Sequence, residues 1–401
     1  MTALLLLEEA QGRLLALARS LPIERIDIAS SLGRFLTEPL IARRTQPAAD
    51  LSAMDGYAVV GPDLTGPWQV IGESAAGHPF ARPVGTGEAV RIATGALMPQ
   101  NSNAVIMQED LTRDGDTLAL TGTAPSPPHK HVRHCGNDFQ GGTELLPAGS
   151  RIGPAQLALA LSAGHSHIAV SRIPNIVIID SGDELSADPE NCARHQIPAS
   201  NGAMLAALVA ALPCNVTRIG PVPDDLEALA QALEQASQAD VIVTTGGASV
   251  GDHDLIRPAL SNWGAKLDFW QVAIKPGKPL LVATKGRHLV LGLPGNPVSS
   301  YVTAFLFLMP LLRHLLGAKA ALPCALPMRL AGPANAGGDR REFLRGSLTP
   351  QGDIEVLTMQ QSGALAAMAA ADVLIDRPAN APALPAGALV TAYLIGNGGM
   401  A

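Results

Sequence analysis

The sequence predicts an α/β protein with all-β lobes attached: a doubly wound, mostly parallel α/β domain, a β-rich lobe, a helical linking domain and a small C-terminal β-barrel or sandwich. Three observations predict it. From Asn175 to Leu316, short apolar runs alternate with segments of helical periodicity, the pattern of a parallel sheet covered on both faces. Residues 45–140 instead carry frequent Gly and Pro between short apolar runs, and the tail beyond Pro327 again reads as strands and turns. At 401 residues, the chain also exceeds what one core serves, so several domains are expected.

In chain order, apolar positions recur at helical spacing over residues 3–20, and Pro22 marks the stop. ASSLGRFL, residues 29–36, reads as a short second helix. Ala89–Pro99, Ala104–Asp110 and Asp116–Gly122 read as strands of the lobe at 45–140. Helical periodicity returns at Pro154–Ala163, so residues 1–44 and 141–172 form the linking domain. The α/β domain, 173–320, follows with strands NIVIID, VTRIGPV, DVIVTTGG, LLVAT and HLVLGLPG. Its helices are expected over Ala199–Leu212, Asp225–Gln238, Leu255–Trp263 and Val298–Leu316. Pro323–Pro327 reads as a linker into a β domain at 323–401, built from REFLRGSLT, DIEVLTM, DVLIDRP and ALVTAYLIG.

Composition excludes several classes of function. Only 3% of residues are aromatic and the net charge is −7, so stacking on single-stranded nucleic acid or gripping a polyanion is not expected. The four cysteines, Cys135, Cys192, Cys214 and Cys324, show no CxxC spacing, which points to reduced thiols rather than zinc or disulfides. The Leu4–Leu7 run lacks a basic flank and meets Glu8 and Glu9 at once, so it is not read as a signal peptide. No apolar stretch reads as a membrane span, since Pro310, Arg313 and His314 interrupt Leu306–Leu316. A cytoplasmic protein without membrane partners is expected.

Four loops follow strands of the α/β domain, and ligands bind at the carboxyl ends of such strands. The first, Asp180–Glu184, also reads as a polar turn capping the next helix. In the second, GPVPDD, Asp224 and Asp225 are natural helix caps. The third, TTGGASVGDHD, places Gly246 and Gly247 where backbone N–H groups can approach a ligand, followed by Asp252 and Asp254 as hard oxygen donors. The fourth is LPGNP, whose Asn296 before Pro297 can open a helix toward an anion. Together these loops point to a phosphate or nucleotide site. The carboxylates imply a bridging metal, best matched by Mg²⁺, and Lys275 and Lys278 of KPGK would neutralise an oxyanion.

The β-rich lobe adds SAMDGY, where Asp55-Gly56 reads equally as a hairpin turn. The His129–Cys135 segment invites a metal reading, but its spacing is not that of a zinc site and clustered surface histidines are commoner.

With these motifs in place, the chain resembles the molybdopterin molybdenumtransferases, the MoeA-type family that includes the E domain of gephyrin. The resemblance is carried by SAMDGYAV (Ser52–Val59), TGALMP (Thr94–Pro99), SGDEL (Ser181–Leu185), TTGGASVGDHD, IKPGKP, LGLPGNPVSS and REFLRG (Arg341–Gly346), which fall in the family's order over essentially the whole chain. It implies an elongated four-domain subunit and a homodimer. It further implies Mg²⁺-dependent hydrolysis of adenylylated molybdopterin with release of AMP and insertion of molybdenum from molybdate. The upstream molybdopterin adenylyltransferase would be a partner.

By the same resemblance Asp55, Asp138, Glu184, Asp224 and Asp254 are catalytic, with Asp224 and Asp254 near the metal and Asp55 reaching the cleft from the partner subunit. Thr94, Arg133, Gly246, Gly247, Ser249, Lys275, Lys278, Pro294, Asn296, Arg345 and Ser362 would bind substrate, with Arg345 a forked donor to the molybdate dianion. Two departures remove positive charge. Gln271 stands where members often carry lysine, and His134-Cys135 where they often carry two basic residues. A gephyrin-like scaffold, or a paralogue handling tungstate, is the alternative.

Overall fold

The fold was analysed in a computed structural model, which describes residues 4–246 and 255–396. In the α/β domain, six strands form one sheet in the order Asn215–Val222, Asn175–Ser181, Val241–Thr245, His288–Leu293, Leu281–Lys285, Lys266–Trp270. The first four run parallel; Leu281–Lys285 runs antiparallel to them and pairs antiparallel with Lys266–Trp270, which returns to their direction. The strand Lys266–Trp270 has no sequence-level counterpart, because its alternate residues are charged or half-exposed at the sheet's edge.

Alternation along the central strands fills two cores. Ile176, Ile178, Val241, Val243, Leu289 and Leu291 face one side, against helices Asn201–Val209 and Pro297–Thr303 and the turns that follow the latter. Val177, Ile179, Ile242 and Val290 face the other, against Leu226–Gln235 and Ile256–Asn262. The sheet is therefore buried on both faces, as its continuous apolar strands require. Truncating one such side chain, Leu291→Ala for instance, costs about 2–5 kcal/mol.

The helical stretch Pro297–Leu315 corrects one expectation. At 19 residues and mean hydropathy 1.3, it is long and apolar enough to cross a membrane, but 89% of it is buried inside the protein as a core helix. It also runs through Pro310. A π turn at Ala304–Leu308 precedes that proline, and Gln11 donates Nε2–H to the Leu306 carbonyl at 2.8 Å, four residues before it. Proline lacks the N–H that would have taken that carbonyl. The first helix, Leu7–Leu17, is thereby tied to the α/β domain, and Leu7, Ala10 and Leu14 join its core.

Residues 29–36 do not form the expected helix. Only a 3₁₀ turn, Ile28–Ser30, appears, capped by Asp27 Oδ1 accepting from Ala29 N. Phe35 and Leu36 instead bridge to Arg151 and Val170, joining the linking domain in which Ile23–Asp27 pairs with His167–Ser171.

The β-rich lobe is a six-stranded sheet ordered Ala104–Met107, Gly56–Val59, Glu88–Ile92, Trp68–Ser74, Thr117–Leu120, Leu111–Asp114. Asp55-Gly56 is not a hairpin turn. Gly56 opens the second of these strands, and a Cβ on it would lie 2.0 Å from the Ile106 carbonyl oxygen. The C-terminal domain is a sheet of Leu326–Arg329, Arg341–Leu348, Ile354–Val356, Val373–Arg377 and Leu389–Leu394, to which Ile274–Lys275 of the KPGK segment adds a strand. The expected linker is shorter than its prolines implied, because Leu326 and Pro327 already pair with Ala392 and Thr391. Pro327 is tolerated there because its strand lies at one end of the strand order. Phe343, Tyr393 and Ile395 join the α/β core, and Tyr301 donates its hydroxyl to the Ile395 carbonyl at 3.1 Å.

Candidate functional site

The four parallel strands end at one edge, and their loops meet there. Asp180 sits beside Thr245 in register and accepts its hydroxyl at 2.6 Å. Burial pushes the Asp180 carboxyl above its ordinary value, against the Thr245 hydrogen bond and the Arg218 guanidinium 3.7 Å away. It is a structural tie between strand ends. Gly246 closes the neighbouring strand at φ +91°, with its Cα so near Ser181 that a Cβ would meet the Ser181 carbonyl oxygen at 2.4 Å. No other residue fits both demands.

A cleft at this edge is lined by Ser181, Glu184, Asn201, Gly246 and Gly295. Asn201 donates Nδ2–H to the Gly295 carbonyl at 2.7 Å, while its Oδ1 is buried without a partner among the described residues. Sequence reasoning passed over Asn201. Its signal was a polar residue opening an apolar helix, which capping explains just as well.

The Asp224-Asp225 pair divides its labour. Asp225 caps the helix Leu226–Gln235, accepting from Glu227 N and Ala228 N at 2.9 Å each. Asp224 is not that cap; its backbone N–H goes to Asp183 Oδ1 at 3.1 Å, which draws the second loop onto the first. Asp254, with Gly247 and Ser249, lies outside the described residues, as does Asp252.

The C-terminal domain closes one side of this edge. Asn296, after the buried Pro294, donates Nδ2–H to Ser362 Oγ at 3.3 Å. Lys275 binds Glu342 at 2.8 Å, across the strand pairing that joins the two domains. Lys278 stands exposed nearby in the chain, beyond Gly277, whose φ is +107° and whose Cβ would strike Thr303 Cγ2 at 2.5 Å.

Arg345 departs from its expected role as an open fork. Its side chain is completely buried, and NH2 donates to the carbonyls of Met359 at 2.7 Å and Gln361 at 3.1 Å. Burial pushes its pKa down, and Nε and NH1 find no partner among the described residues. It secures the turn that carries Ser362.

A second group lies on the β-rich lobe. Asp55 accepts from Thr94 N at 2.6 Å, which holds its carboxyl below the ordinary value. Arg133 pairs with Leu51 across two short strands, and Asp138 donates its backbone N–H to the Gln46 carbonyl at 3.0 Å. Between them, His134 Nδ1 lies 3.0 Å from Asp50 and Cys135 N donates to the same carboxylate at 2.7 Å. Burial opposes ionisation of Asp50, yet these two hydrogen bonds keep its carboxyl below the usual value. His134 and Cys135 thus anchor Asp50. Gln271, the other departure, takes φ +71°, and Arg257 stacks 4.4 Å over the ring of the preceding Trp270.

Residues 5–164 match the MoeA N-terminal region (domain I and II), 177–314 match a probable molybdopterin binding domain, and 327–395 match the MoeA C-terminal region (domain IV). A molybdopterin molybdenumtransferase of Haemophilus influenzae is 35% identical over 79% of this chain and 79% of its own length. Gephyrin of Dictyostelium discoideum is 30% identical over 93% of this chain but only 60% of its own length. Among solved structures, a molybdopterin biosynthesis MoeA protein from Pyrococcus horikoshii superimposes with TM-score 0.80 at 29% identity, covering 98% of this chain and 99% of its own.

Proposed function

Because the chain belongs to the MoeA family of molybdopterin molybdenumtransferases, we propose that its cleft takes adenylylated molybdopterin and molybdate, inserts the metal and releases AMP. The chain is a transferase of molybdenum cofactor biosynthesis. One observation carries the site assignment: Asn296 and Ser362 join the nucleotide-type loops of the α/β domain to the C-terminal domain at a single edge.

Among the described residues no group of three or more His, Cys, Asp or Glu side chains has metal-holding geometry. Mg²⁺ does not need one, since it binds through one or two carboxylates plus substrate phosphate oxygens. The bond from Asp224 N to Asp183 brings two acid-bearing loops together, a donor set of hard oxygens that fits this ion. In our reading Asp224 would hold Mg²⁺ together with Asp254. Bound there, the ion would neutralise phosphate charge and acidify a water.

The rest falls to the chain's own groups. Glu184, exposed at the cleft, orients water or substrate. Molybdate, a tetrahedral dianion, meets Lys275, Lys278 and the Ser362 hydroxyl, while Arg345 acts as a positioning residue by fixing the 359–362 turn. The bonds of Asp55 to Thr94 and of Asp138 to Gln46, and the pairing of Arg133 with Leu51, lie within one lobe, which supports a homodimer in which each lobe completes the partner's cleft. The bridge from Leu330 to Ile354 supports reading the C-terminal domain as a closed barrel. The reading also takes the protein to be cytoplasmic, supplied by a molybdopterin adenylyltransferase. The gephyrin relative keeps a scaffold in view, and the retained Glu184, Asp224 and lysine pair favour an enzyme.

Incubation with adenylylated molybdopterin, Mg²⁺ and either molybdate or tungstate, scoring AMP and incorporated metal, tests this. AMP release with metal incorporation is expected, and the two oxyanion arms rank preference. No AMP release with either anion would leave the scaffold reading standing instead.

A further inference from the structure

The opposite end of the same parallel strands holds a second cavity. Its volume is about 480 Å³, and its wall includes Arg19, Arg172, Arg287, Asn175, Asp240 and Leu289. Asn175 opens one strand, Asp240 directly precedes the next and Leu289 lies at the start of a third, so this is the amino edge, away from the cleft. The three arginines come from three segments. Arg19 follows the first helix, Arg172 leads from the linking domain into the sheet, and Arg287 sits at the tip of the hairpin joining Leu281–Lys285 to His288–Leu293.

Their charge is only partly answered. Asp240 Oδ1 accepts from Arg172 at 2.8 Å, and its Oδ2 takes the Asn175 backbone N–H at 2.8 Å, so both oxygens of that carboxylate are engaged. Arg13 pairs with Asp268 and Arg34 with Glu24, as expected of arginines in an acidic chain of net charge −7. Arg19 and Arg287 are exposed, and neither has an ion-pair partner among the described residues. Two guanidinium forks facing one cavity match a phosphate dianion. Leu21, Leu289 and Leu315 offer an apolar floor beside them, and the volume lies in the range of small-ligand sites.

We propose that this cavity is a second ligand site, for a small phosphate monoester with an apolar body, separate from the cleft at the carboxyl edge. Occupancy ties together the first helix, the interdomain connection and the hairpin, because each contributes one arginine.

The test titrates the full chain with phenyl phosphate and, separately, with inorganic phosphate, by calorimetry or ³¹P NMR. Saturable binding is expected, tighter for phenyl phosphate. The double substitution Arg19→Gln with Arg287→Gln should weaken it by about tenfold or more, the scale of losing charge-assisted hydrogen bonds. The cleft substitution Lys278→Gln should leave it unchanged. Both arginines are exposed, so the variant should keep the parent's circular dichroism and Tm. Equal affinity in the double variant and parent, a loss in Lys278→Gln instead, or no saturable binding would each overturn the proposal. Equal binding of the two probes would overturn the apolar body.

Discussion

The carboxyl edge of the α/β sheet and the face of the β-rich lobe both carry acids and donors, yet they are built on opposite principles. At the edge, Asp180 is buried and shared between two strands, Gly246 presses against Ser181, and Asn296 reaches into the next domain. On the lobe, Asp55 is exposed, its carboxyl held low by one backbone N–H. The first region is assembled by packing within one chain. The second is ordered locally and presented outward, as a surface that completes a site elsewhere would be. The difference teaches that identity of residues does not fix their role; burial and the origin of their hydrogen bonds do.

The largest effects should come from the assembled edge. Glu184→Ala or Asp224→Asn should slow AMP release by about 100-fold or more, the scale for groups acting directly on the reacting atoms. Asp225→Asn, next door, should change turnover little, because asparagine also caps a helix. Equal loss in both Asp224 and Asp225 variants would erase the division of labour between them.

A smaller change is expected where the two domains meet. Ser362→Ala should require about tenfold more molybdate for half-maximal metal incorporation while adenylylated molybdopterin still binds, the cost of one donor to a charged ligand. An unchanged molybdate requirement would detach the C-terminal domain from the anion site.

The smallest effect concerns Asp180. A carboxyl raised above its ordinary 3.8 gives the fold its full contribution when protonated, below that value, and loses it as pH climbs through the raised value. At pH 7 the charged form is penalised by burial. Asp180→Asn should therefore hold or raise Tm, by about 2 °C, with the gap closing as pH falls toward 3.8. A large loss of Tm at pH 7 would mean that the Arg218 pair outweighs burial.

Much of this was legible from local pattern. Alternating apolar runs placed the α/β strands and their four loops, since both faces of a parallel sheet must be apolar. What escaped depends on contacts across hundreds of residues. Pro310 counted only as an interruption of the apolar Leu306–Leu316 run, and nothing local announces that Gln11 covers the Leu306 carbonyl. Residues 29–36 looked helical, yet tertiary bridges to Arg151 and Val170 outweigh their propensity. Arg345 looked like an open fork because burial is not written in an arginine codon's neighbours. Asn201 had no signal apart from its place at a helix start.

The central claim is that the lobe of one subunit completes the cleft of its partner, and mixing inactive subunits tests it most directly. Asp55→Asn and Glu184→Gln disable the two regions separately. Co-refolded in equal amounts as a twofold dimer, half the dimers are mixed and each mixed dimer holds one intact site, so about a quarter of parental AMP release should return. If the mixture stays as inactive as either variant alone, Asp55 serves the cleft of its own chain and the claim is contradicted.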